Sequence, residues 1–408
     1  FLLPMMSGQV RALDRSGIDI ETAATLTLKQ NSRIKARAKL TRAAQSRISN
    51  VVKLANPEFE LEIENFGLDQ HWGLGDADIT AGLSQAIPLN GRVEFELEYE
   101  KSALELARSR EELTSLAVLF ELNQAFELAI GAEKRLANAR EKLALWSDAK
   151  KAIEAAVEVG NSPPADIFVA KSLVVKASLE FEKAVADCEV RRRGLSWHWD
   201  GSNESVLSVK GELRVDRLHS LDSQTQAEEQ TLPDLKMMEK SSRMLEARAR
   251  FEEARSWPEL AVGIGYRGIQ GFDESALLMT FSLPLPLFDR NRSAIEEARI
   301  MTMRQKDLKR ARQNRRAAEL KVLQAQLESL SNRYFNIEER LLPAVKSSMD
   351  AVELGFREGK LDTADLLESR RQMTEVRLLQ IGLAEQFGLA RAKLAWLTGD
   401  IDYLKGEK

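Results

Sequence analysis

The chain has 408 residues, of which 30% are charged and 44% are hydrophobic, and its formal net charge is −4. This balance, with only 22 glycines and 10 prolines, favours long amphipathic helices over a compact mixed fold. Basic and acidic residues are mixed along the chain, which argues against a nucleic-acid partner, and the single cysteine, Cys188, excludes a disulfide within the chain.

The N-terminal stretch is apolar but short. We expect 1–6 to be either the remnant of a signal peptide or a disordered terminus, and no cysteine near it offers a lipid anchor. No run of 18 apolar residues is present anywhere, so we expect no transmembrane helix.

An internal repeat predicts the organisation of the chain. With a shift of 201 residues, 32–35 falls on 233–236 and 56–58 falls on 257–259, and shifts of 198 and 199 align later segments in the same order. We therefore predict two structural repeats with a connector between them and a short tail. Their bounds are 1–200 for the first repeat, 201–231 for the connector, 232–400 for the second repeat and 401–408 for the tail.

Each repeat is expected to contain a helix, a strand hairpin, a long helix and a return helix. In the first repeat these span about 22–55, 57–88, 92–159 and 165–197, and in the second 233–256, 258–286, 291–358 and 364–397. At about 1.5 Å per residue, the leading and return helices together match the long helix in length. We expect them to stack end to end beside it, which places the connector at mid-height.

The long helices carry the heptad spacing of coiled-coil seams. The seam residues are Val118, Leu122, Ala125, Ala129, Ala132, Leu136, Ala139 and Leu143 in the first helix, and Leu320, Leu323, Leu327, Leu330, Tyr334, Ile337 and Leu341 in the second. Pro343 lies inside the second long helix, where it is expected to kink the helix or break its hydrogen-bond ladder.

The first strand alternates without exception between apolar and acidic residues. One face presents Phe59, Leu61 and Ile63, and the other presents Glu58, Glu60, Glu62 and Glu64. An ordinary sheet lying on a core, with its charged side in water, is one explanation. A membrane barrel is the other, because strands of about 10 residues have the length of tilted membrane-spanning strands. Four strands cannot close a barrel, so this second explanation requires several copies, and three would supply twelve strands.

Two turns connect the long helices to the return helices. Gly160 and Gly359 are expected to adopt the left-handed conformation that ends a helix. Asp166 and Asp365 are expected to cap or support the return helices that follow.

The sequence offers no candidate for catalysis or for a bound cofactor. His71, His198 and His219 are far apart and lack cysteine or histidine partners at metal-ligand spacing. No nucleophile motif, phosphate-binding loop or paired acid–base carboxylates stand out. We therefore predict that the protein is not an enzyme and that it has no metal site and no cofactor.

The plan of the chain resembles the TolC family of outer-membrane efflux proteins, over nearly its whole length. The motifs that carry the resemblance are Asn56-Pro-Glu-Phe-Glu-Leu-Glu-Ile-Glu-Asn-Phe-Gly67, Leu83-Ser-Gln-Ala-Ile-Pro-Leu89, Pro284-Leu-Pro-Leu-Phe-Asp-Arg-Asn-Arg292 and Ala392-Lys-Leu-Ala-Trp-Leu-Thr-Gly399. In detail they are most similar to the cobalt–zinc–cadmium resistance branch, which works with heavy-metal pumps of the resistance-nodulation-division type.

The resemblance implies a fold and a set of partners. It implies a mainly helical homotrimer with a twelve-stranded β-barrel in the outer membrane above a periplasmic helical tunnel. It also implies passive export, with an inner-membrane pump and a periplasmic adaptor as partners. The four glutamates of the first strand would then face the lumen and form an acidic exit.

The resemblance further implies that the two turns form the periplasmic entrance and contact the adaptor. In a trimer, Asp362 and Asp365 would each occur three times around a narrow axis, a ring that favours cations. Arg357 and Glu358 would link neighbouring helices and hold this tip shut.

Two other classes of protein are weighed against the channel. A soluble coiled-coil scaffold or a periplasmic adaptor would also use helical hairpins, although an adaptor would show one hairpin inserted into glycine-rich β-modules. An enzyme fits less well still. The exported substrate stays open among metal cations, organic compounds and small proteins.

Overall fold

The computed structural model describes most of the chain. The described residues are 17–51, 55–64, 77–199, 208–218, 232–269 and 274–407. Several predictions fall outside these ranges: the nature of the start at 1–6, most of the connector at 201–231, and the surroundings of His71 and His219.

The protein is mainly helical, with four strands. The first half contains α1 (Ile20–Gln30), α2 (Ser32–Val51), β1 (Glu58–Glu64), β2 (Asp78–Pro88), α3 (Arg92–Glu158) and α4 (Ala165–Ser196). The second half contains α5 (Pro233–Arg255), β3 (Glu259–Ile269), β4 (Glu274–Ser282), α6 (Arg292–Asn336), α7 (Leu342–Arg357), α8 (Thr363–Thr398) and α9 (Ile401–Lys405).

The chain divides into two compact units. The helical unit comprises Phe1–Ala36, Leu113–Leu232 and Asn314–Lys408, and the sheet unit comprises Arg37–Glu112 and Pro233–Gln313. Each unit draws on both halves of the sequence.

The helical unit is built around an apolar core on α3. Leu119, Leu122 and Phe126 of α3 pack with Trp199 and with small residues of α1 and α8. The α6 seam packs on α8 through a second cluster that includes Leu327. The heptad spacing therefore predicted most of the buried side of both long helices, although the buried face of α3 is broader than the seam and the last predicted seam residue, Leu341, is exposed. A window of α3 is apolar enough to cross a membrane by length and composition, and 44% of it is buried; we interpret it as a core helix.

The leading helix of the first repeat is broken, where the sequence predicted one helix over 22–55. Asn31 separates α1 from α2, because its backbone ψ of 123° is not helical. Its side-chain oxygen accepts hydrogen bonds from the backbone N–H groups of Arg33 (2.9 Å) and Ile34 (3.3 Å), and its amide donates to the carbonyl of His198 (2.8 Å). The prediction of one continuous helix was wrong because this distant carbonyl holds the asparagine in place.

The second long helix is also interrupted, close to Pro343. A five-residue π-helical turn, Ile337–Leu341, separates α6 from α7, and the proline lies in the first turn of α7. A proline has no N–H to donate to the preceding turn, so the ladder widens there. The expected break in the hydrogen-bond ladder is therefore confirmed.

The sheet unit contains one antiparallel sheet with the order β1-β2-β3-β4. Its helices are joined by surface ion pairs, such as Arg250 with Glu98 (2.5 Å) and Arg299 with Glu253 (2.6 Å). Pairs of this kind contribute little each, about 0–1 kcal/mol. Within this unit, β1 and β4 each have one strand neighbour, so both are edges.

Candidate functional site: the two sheet faces and the helical turns

One face of the sheet is apolar and uncovered. The register places Phe59, Leu83, Ile264 and Met279 side by side in one row across the four strands. Their exposed fractions are 68%, 53%, 56% and 68%. Leu61, Tyr266, Leu277 and Phe281 extend the same exposed face. The ordinary sheet lying on a core is therefore excluded for the chain by itself, since nothing in the described residues covers its apolar side.

The opposite face is polar and carries the four predicted glutamates. On this face β1 and β2 pair Glu58 with Ser84, Glu60 with Gly82, Glu62 with Thr80 and Glu64 with Asp78. The order runs from the end of the sheet that joins the helices to the opposite end. A concave groove runs along this face and is lined in part by Glu58, Glu60 and Glu62. The alternation of the sequence thus predicted which residues share a face, because the side-chain period of a strand is two.

The sequence prediction missed one residue of the polar face. Arg267 of β3 ion-pairs with Glu64 of β1 (2.5 Å) and with Asp78 of β2 (3.2 Å), so it joins three strands. The signal that points to it is composition, since it is the only basic residue in the four strands.

The two turns of the helical unit have the backbone that the glycines predicted. Gly160 has φ +78° and Gly359 has φ +68°. The N–H of Asn161 donates to the carbonyl of Ala156 (2.8 Å), which closes the end of α3. An equivalent bond from Lys360 closes the end of α7. Any other residue at the two glycines is strained in this left-handed conformation.

The aspartates near the turns differ in their roles. Asp362 is the N-cap of α8: its carboxylate accepts from the N–H of Asp365 (2.9 Å), and Asp365 accepts in return from the N–H of Asp362 (3.3 Å). This reciprocal pair is a capping box. Asp166, in contrast, lies in the first turn of α4, whose N-cap is Pro164 without a side-chain cap bond. Its position still suits the helix dipole.

Arg357 and Glu358 form local ion pairs. Arg357 pairs with Glu353 one turn back in α7 (2.7 Å), and Glu358 pairs with Lys360 (2.6 Å). Within the described part of the chain, neither residue links α7 to a neighbouring helix. Their predicted role in holding the tip shut would need a second copy of the chain.

Other contacts join the two turns. The hydroxyls of Ser162 and Thr363 are hydrogen-bonded to each other (3.1 Å). Arg370 of α8 is almost fully buried and donates to the carbonyl of Leu145 in α3. On the exposed side of α8, hydrogen bonds from Arg371 lower the pKa of Glu368 to about 2. The contacts of Ser162 with Thr363 and of Arg370 with Leu145 have no local signal in the sequence, because their partners lie more than 200 positions apart.

Two half-buried glutamates in the helical unit each pack against the opposite helix. Glu127 of α3 lies against Gly388 of α8, and Glu385 of α8 lies against Gly131 of α3. One carboxylate oxygen of Glu127 is buried and accepts no hydrogen bond from the described residues. Arg135 ion-pairs with Glu385 (2.8 Å). Burial, with the charge of Glu385 as a second cause, raises the pKa of Glu127 to about 7.

No metal centre is found among the described residues. They contain no group of three or more histidine, cysteine or acidic side chains that could hold an ion. The carbonyl of His198 is engaged by Asn31, and burial lowers the pKa of its imidazole. Cys188 is buried, and burial raises the pKa of its thiol.

Comparison with known sequences agrees with this architecture. The profile of a family described as "Outer membrane efflux protein" matches residues 225–400. The cobalt-zinc-cadmium resistance protein CzcC of Cupriavidus metallidurans is 21% identical over 369 residues, which cover 90% of this chain and 87% of that protein. The nickel-cobalt-cadmium resistance protein NccC of Alcaligenes xylosoxydans xylosoxydans is 24% identical, over 73% of this chain and 67% of that protein.

Solved structures share the fold. The outer-membrane channel MtrE of Neisseria gonorrhoeae, in its open state, superposes with a TM-score of 0.75 at 15% identity, over 93% of this chain and 88% of that one. CmeC of Campylobacter jejuni gives 0.74 at 13% identity, over 95% and 89%. CusC gives 0.74 at 14% identity, over 94% and 92%. This shared fold does not fit the alternative predictions of a soluble coiled-coil scaffold or a periplasmic adaptor.

The family consists of transport channels, and its members form trimeric outer-membrane channels that work with pumps and adaptors. The sheet with its uncovered apolar face corresponds to the barrel of these channels, and the long helices correspond to the periplasmic tunnel. Residues 225–400 thus match the family of outer-membrane efflux proteins, and nearly the whole chain has the fold of the TolC-like outer-membrane channels.

Proposed function

We propose that three copies of this chain form the outer-membrane duct of a tripartite system that exports heavy-metal cations. An inner-membrane pump of the resistance-nodulation-division type and a periplasmic adaptor deliver the cargo, and the duct is passive. The observation that carries the proposal is the four-stranded sheet, apolar and uncovered on one face and acidic on the other.

Closure of the barrel requires more than one chain. The edge strands β1 and β4 have unpaired backbone groups on their outer sides. Lipid offers no hydrogen-bond partner for such an edge, so a spanning sheet has to close on itself. Closed barrels begin at about eight strands, and three copies of this sheet supply twelve.

Two features support a cationic cargo. The polar face, which lines the lumen in this arrangement, carries Glu58, Glu60, Glu62 and Glu64. In addition, the related proteins CzcC and NccC are named for resistance to cobalt, zinc, cadmium and nickel. Neither feature concerns a tight binding site, which a conduit does not need.

The turns are proposed as the periplasmic entrance and the contact with the adaptor. Around a threefold axis, Asp362 and Asp365 would form an acidic ring whose geometry is fixed by the capping box. The residues of this tip are Gly160, Asp166, Arg357, Glu358, Gly359, Asp362 and Asp365. In the assembled channel, Arg357 and Glu358 would exchange their local partners for those of a neighbouring copy.

Replacing Asp362 and Asp365 with asparagine tests the proposed acidic ring and keeps the N-cap of α8. Asparagine is about as good an N-cap as aspartate, so Asp362→Asn with Asp365→Asn removes charge and keeps the capping bonds. We expect a lower cation-over-anion permeability of the purified trimer in planar bilayers. Asp350→Asn, on the exposed surface of α7, is the matched control. An unchanged cation-over-anion permeability would contradict the proposed acidic gate.

The cargo is tested in cells. Deletion of the gene is expected to sensitise the host to cobalt, zinc, nickel or cadmium salts, with restoration by the intact gene. Sensitivity to organic compounds instead, with unchanged metal tolerance, would contradict the cationic cargo and leave the channel itself standing.

A further inference from the structure

An ion pair crosses the junction between the two repeats in the sheet unit. Arg92, the first residue of α3, pairs with Glu259, the first residue of β3. The chain reaches α3 directly from β2, and β3 is the strand beside β2 in the sheet. The pair therefore ties the start of a long helix to the start of the neighbouring strand.

The second repeat contains a counterpart of Arg92. A residue with a left-handed backbone precedes each long helix, Gly91 before α3 (φ +67°) and Asn291 before α6 (φ +55°). Arg292, the first residue of α6, therefore has the same place as Arg92, which lies 200 positions earlier. The amide of Asn291 donates to the carboxylate of Glu252 in α5 (2.8 Å), which fixes the start of α6.

The first repeat contains the matching glutamate. Both β1 and β3 begin with a glutamate that follows a proline, so Glu58 is the counterpart of Glu259, which lies 201 positions later. Arg292 and Glu58 are both exposed, and neither forms an ion pair with another of the described residues. Within one chain they belong to opposite edges of the sheet, because α6 follows β4 and Glu58 lies in β1.

The strand β4 also ends earlier than its counterpart β2. Beyond its ladder with β1, β2 continues from Gln85 to Pro88, where its strand partner is β3. β4 stops at Ser282, where its ladder with β3 stops. Apolar residues nevertheless continue at every second position of the extension 283–288, and all of them are exposed. They are Leu283, Leu285 and Leu287.

We infer that β1 of a second copy pairs with β4 and with the extension 283–288, and that Arg292 holds this seam through an ion pair with Glu58 of the second copy. The inference rests on the proposed function, because it requires the copies to close one barrel. It adds the register of the strands at the seam and the residues that fasten it. An exposed arginine and an exposed glutamate supply the complementary charges.

The repeat predicts the register of the seam. Within the chain, β2 and β3 place Pro88 opposite Glu259. The same pairing, moved by 200 positions on one strand and 201 on the other, places Leu285 opposite Leu61 of the second copy. Since side chains alternate with a period of two, the apolar residues of the extension then lie beside those of β1 on the uncovered apolar face.

Paired cysteines test this register. In a Cys188→Ser background, Leu285→Cys with Leu61→Cys places two thiols opposite each other across the seam, within the Cα separation of about 4.4–6.8 Å that a disulfide needs. In one chain the two positions lie three strand spacings apart, about 14 Å, so a disulfide can only join two copies. Oxidation in outer-membrane vesicles should give covalent dimers and trimers on a non-reducing denaturing gel.

A second cysteine pair is the matched control. Leu283→Cys with Leu61→Cys is diagonal across the seam, about 7–8 Å apart, and should form its disulfide several-fold more slowly than the directly opposed pair. Faster cross-linking of the diagonal pair would overturn the register.

Charge reversal tests the ion pair. Arg292→Glu or Glu58→Arg alone places like charges at the seam, so each should lower the temperature at which the detergent-extracted trimer dissociates. The double reversal restores opposite charges and should recover most of the loss. Because ionic strength screens exposed charges, the differences between the variants and the wild type should shrink at high salt.

Arg290→Glu is the control for a change of charge alone. Arg290 is exposed near Arg292, but it donates to the carbonyl of Pro286 within its own segment (3.2 Å). Its reversal should change the dissociation temperature much less. Equal losses for the two arginines, or a double reversal without recovery, would overturn the ion pair.

Failure of the inference differs from failure of the proposed function. A trimer that forms with neither the predicted cross-link nor the charge dependence would overturn the seam and leave the duct standing. A wild-type extract that contains no trimer would overturn both.

Discussion

The buried carboxyl of Glu127 makes a testable contribution to the pH dependence of stability. Its pKa is raised from 4.5 to about 7, mainly by burial and secondarily by Glu385. The folded protein therefore holds this proton more tightly than the unfolded chain does. The stabilisation is fully present below about pH 4.5 and is lost as the pH rises through about 7.

The magnitude follows from the difference between the two pKa values. One pKa unit corresponds to about 1.4 kcal/mol, so the free energy of unfolding should fall by about 3 kcal/mol between pH 4.5 and pH 8. Glu127→Gln cannot ionise and lacks this term. The difference between the variant and the wild type should therefore increase with pH in favour of the variant, whatever constant cost the amide itself brings.

Denaturant unfolding of the detergent-solubilised protein between pH 4.5 and 8.5 provides the assay. Glu385→Gln is the informative companion, because it removes the neighbouring charge and leaves the burial. Its transition should lie at lower pH than that of the wild type without disappearing. Parallel pH profiles for the wild type and Glu127→Gln would refute the assignment of a raised pKa to this carboxyl.

Two further predictions use neighbouring residues as controls. Gly388→Ala should destabilise the helical unit by about 1–3 kcal/mol, because the added methyl group would overlap the carboxylate of Glu127. Gly382→Ala is the control on the same helix. Its methyl group meets open space, so this variant should be neutral or stabilising. Thermal unfolding compares the two, and equal losses would contradict the packing. Met279→Arg, on the apolar face, should cost about 2–4 kcal/mol in the membrane and lower the yield of outer-membrane protein. Thr280→Arg, on the polar face, should be tolerated, and equal yields would contradict the assignment of the faces.

The faces of the sheet were predictable from sequence because alternation is a local signal. Every second residue of 58–64 is a glutamate, and the structure places all four on one face. The pairing of β2 with β3 was not predictable in this way. It aligns Leu83 with Ile264, 181 positions apart in sequence, and no local pattern specifies such a register.

The residues that sequence reasoning missed depend on distant partners. Arg267 acquires its role from Glu64 and Asp78, which lie about 200 positions earlier in the chain. In the sequence, Glu127 is an ordinary charged residue of a long helix. Its carboxylate packs against Gly388 of α8, where the missing side chain leaves space for it. A glutamate three or four residues before a glycine, within an apolar helix face, was the only available signal.

The turns illustrate the same division between local and distant information. The left-handed glycines and the capping box at Asp362 and Asp365 use residues within a few positions of each other, so the sequence contains the necessary information. The hydrogen bond between Ser162 and Thr363 joins residues about 200 positions apart. It depends on the arrangement of the helical hairpins, which propensities do not determine.

The central claim is that several copies of this chain close one barrel, with the uncovered apolar face towards lipid. The mass of the detergent-extracted particle, measured by native mass spectrometry, tests it most directly. The account predicts an assembly of three chains of 45.8 kDa each, which requires detergent to stay in solution. A water-soluble particle with the mass of one chain would contradict it.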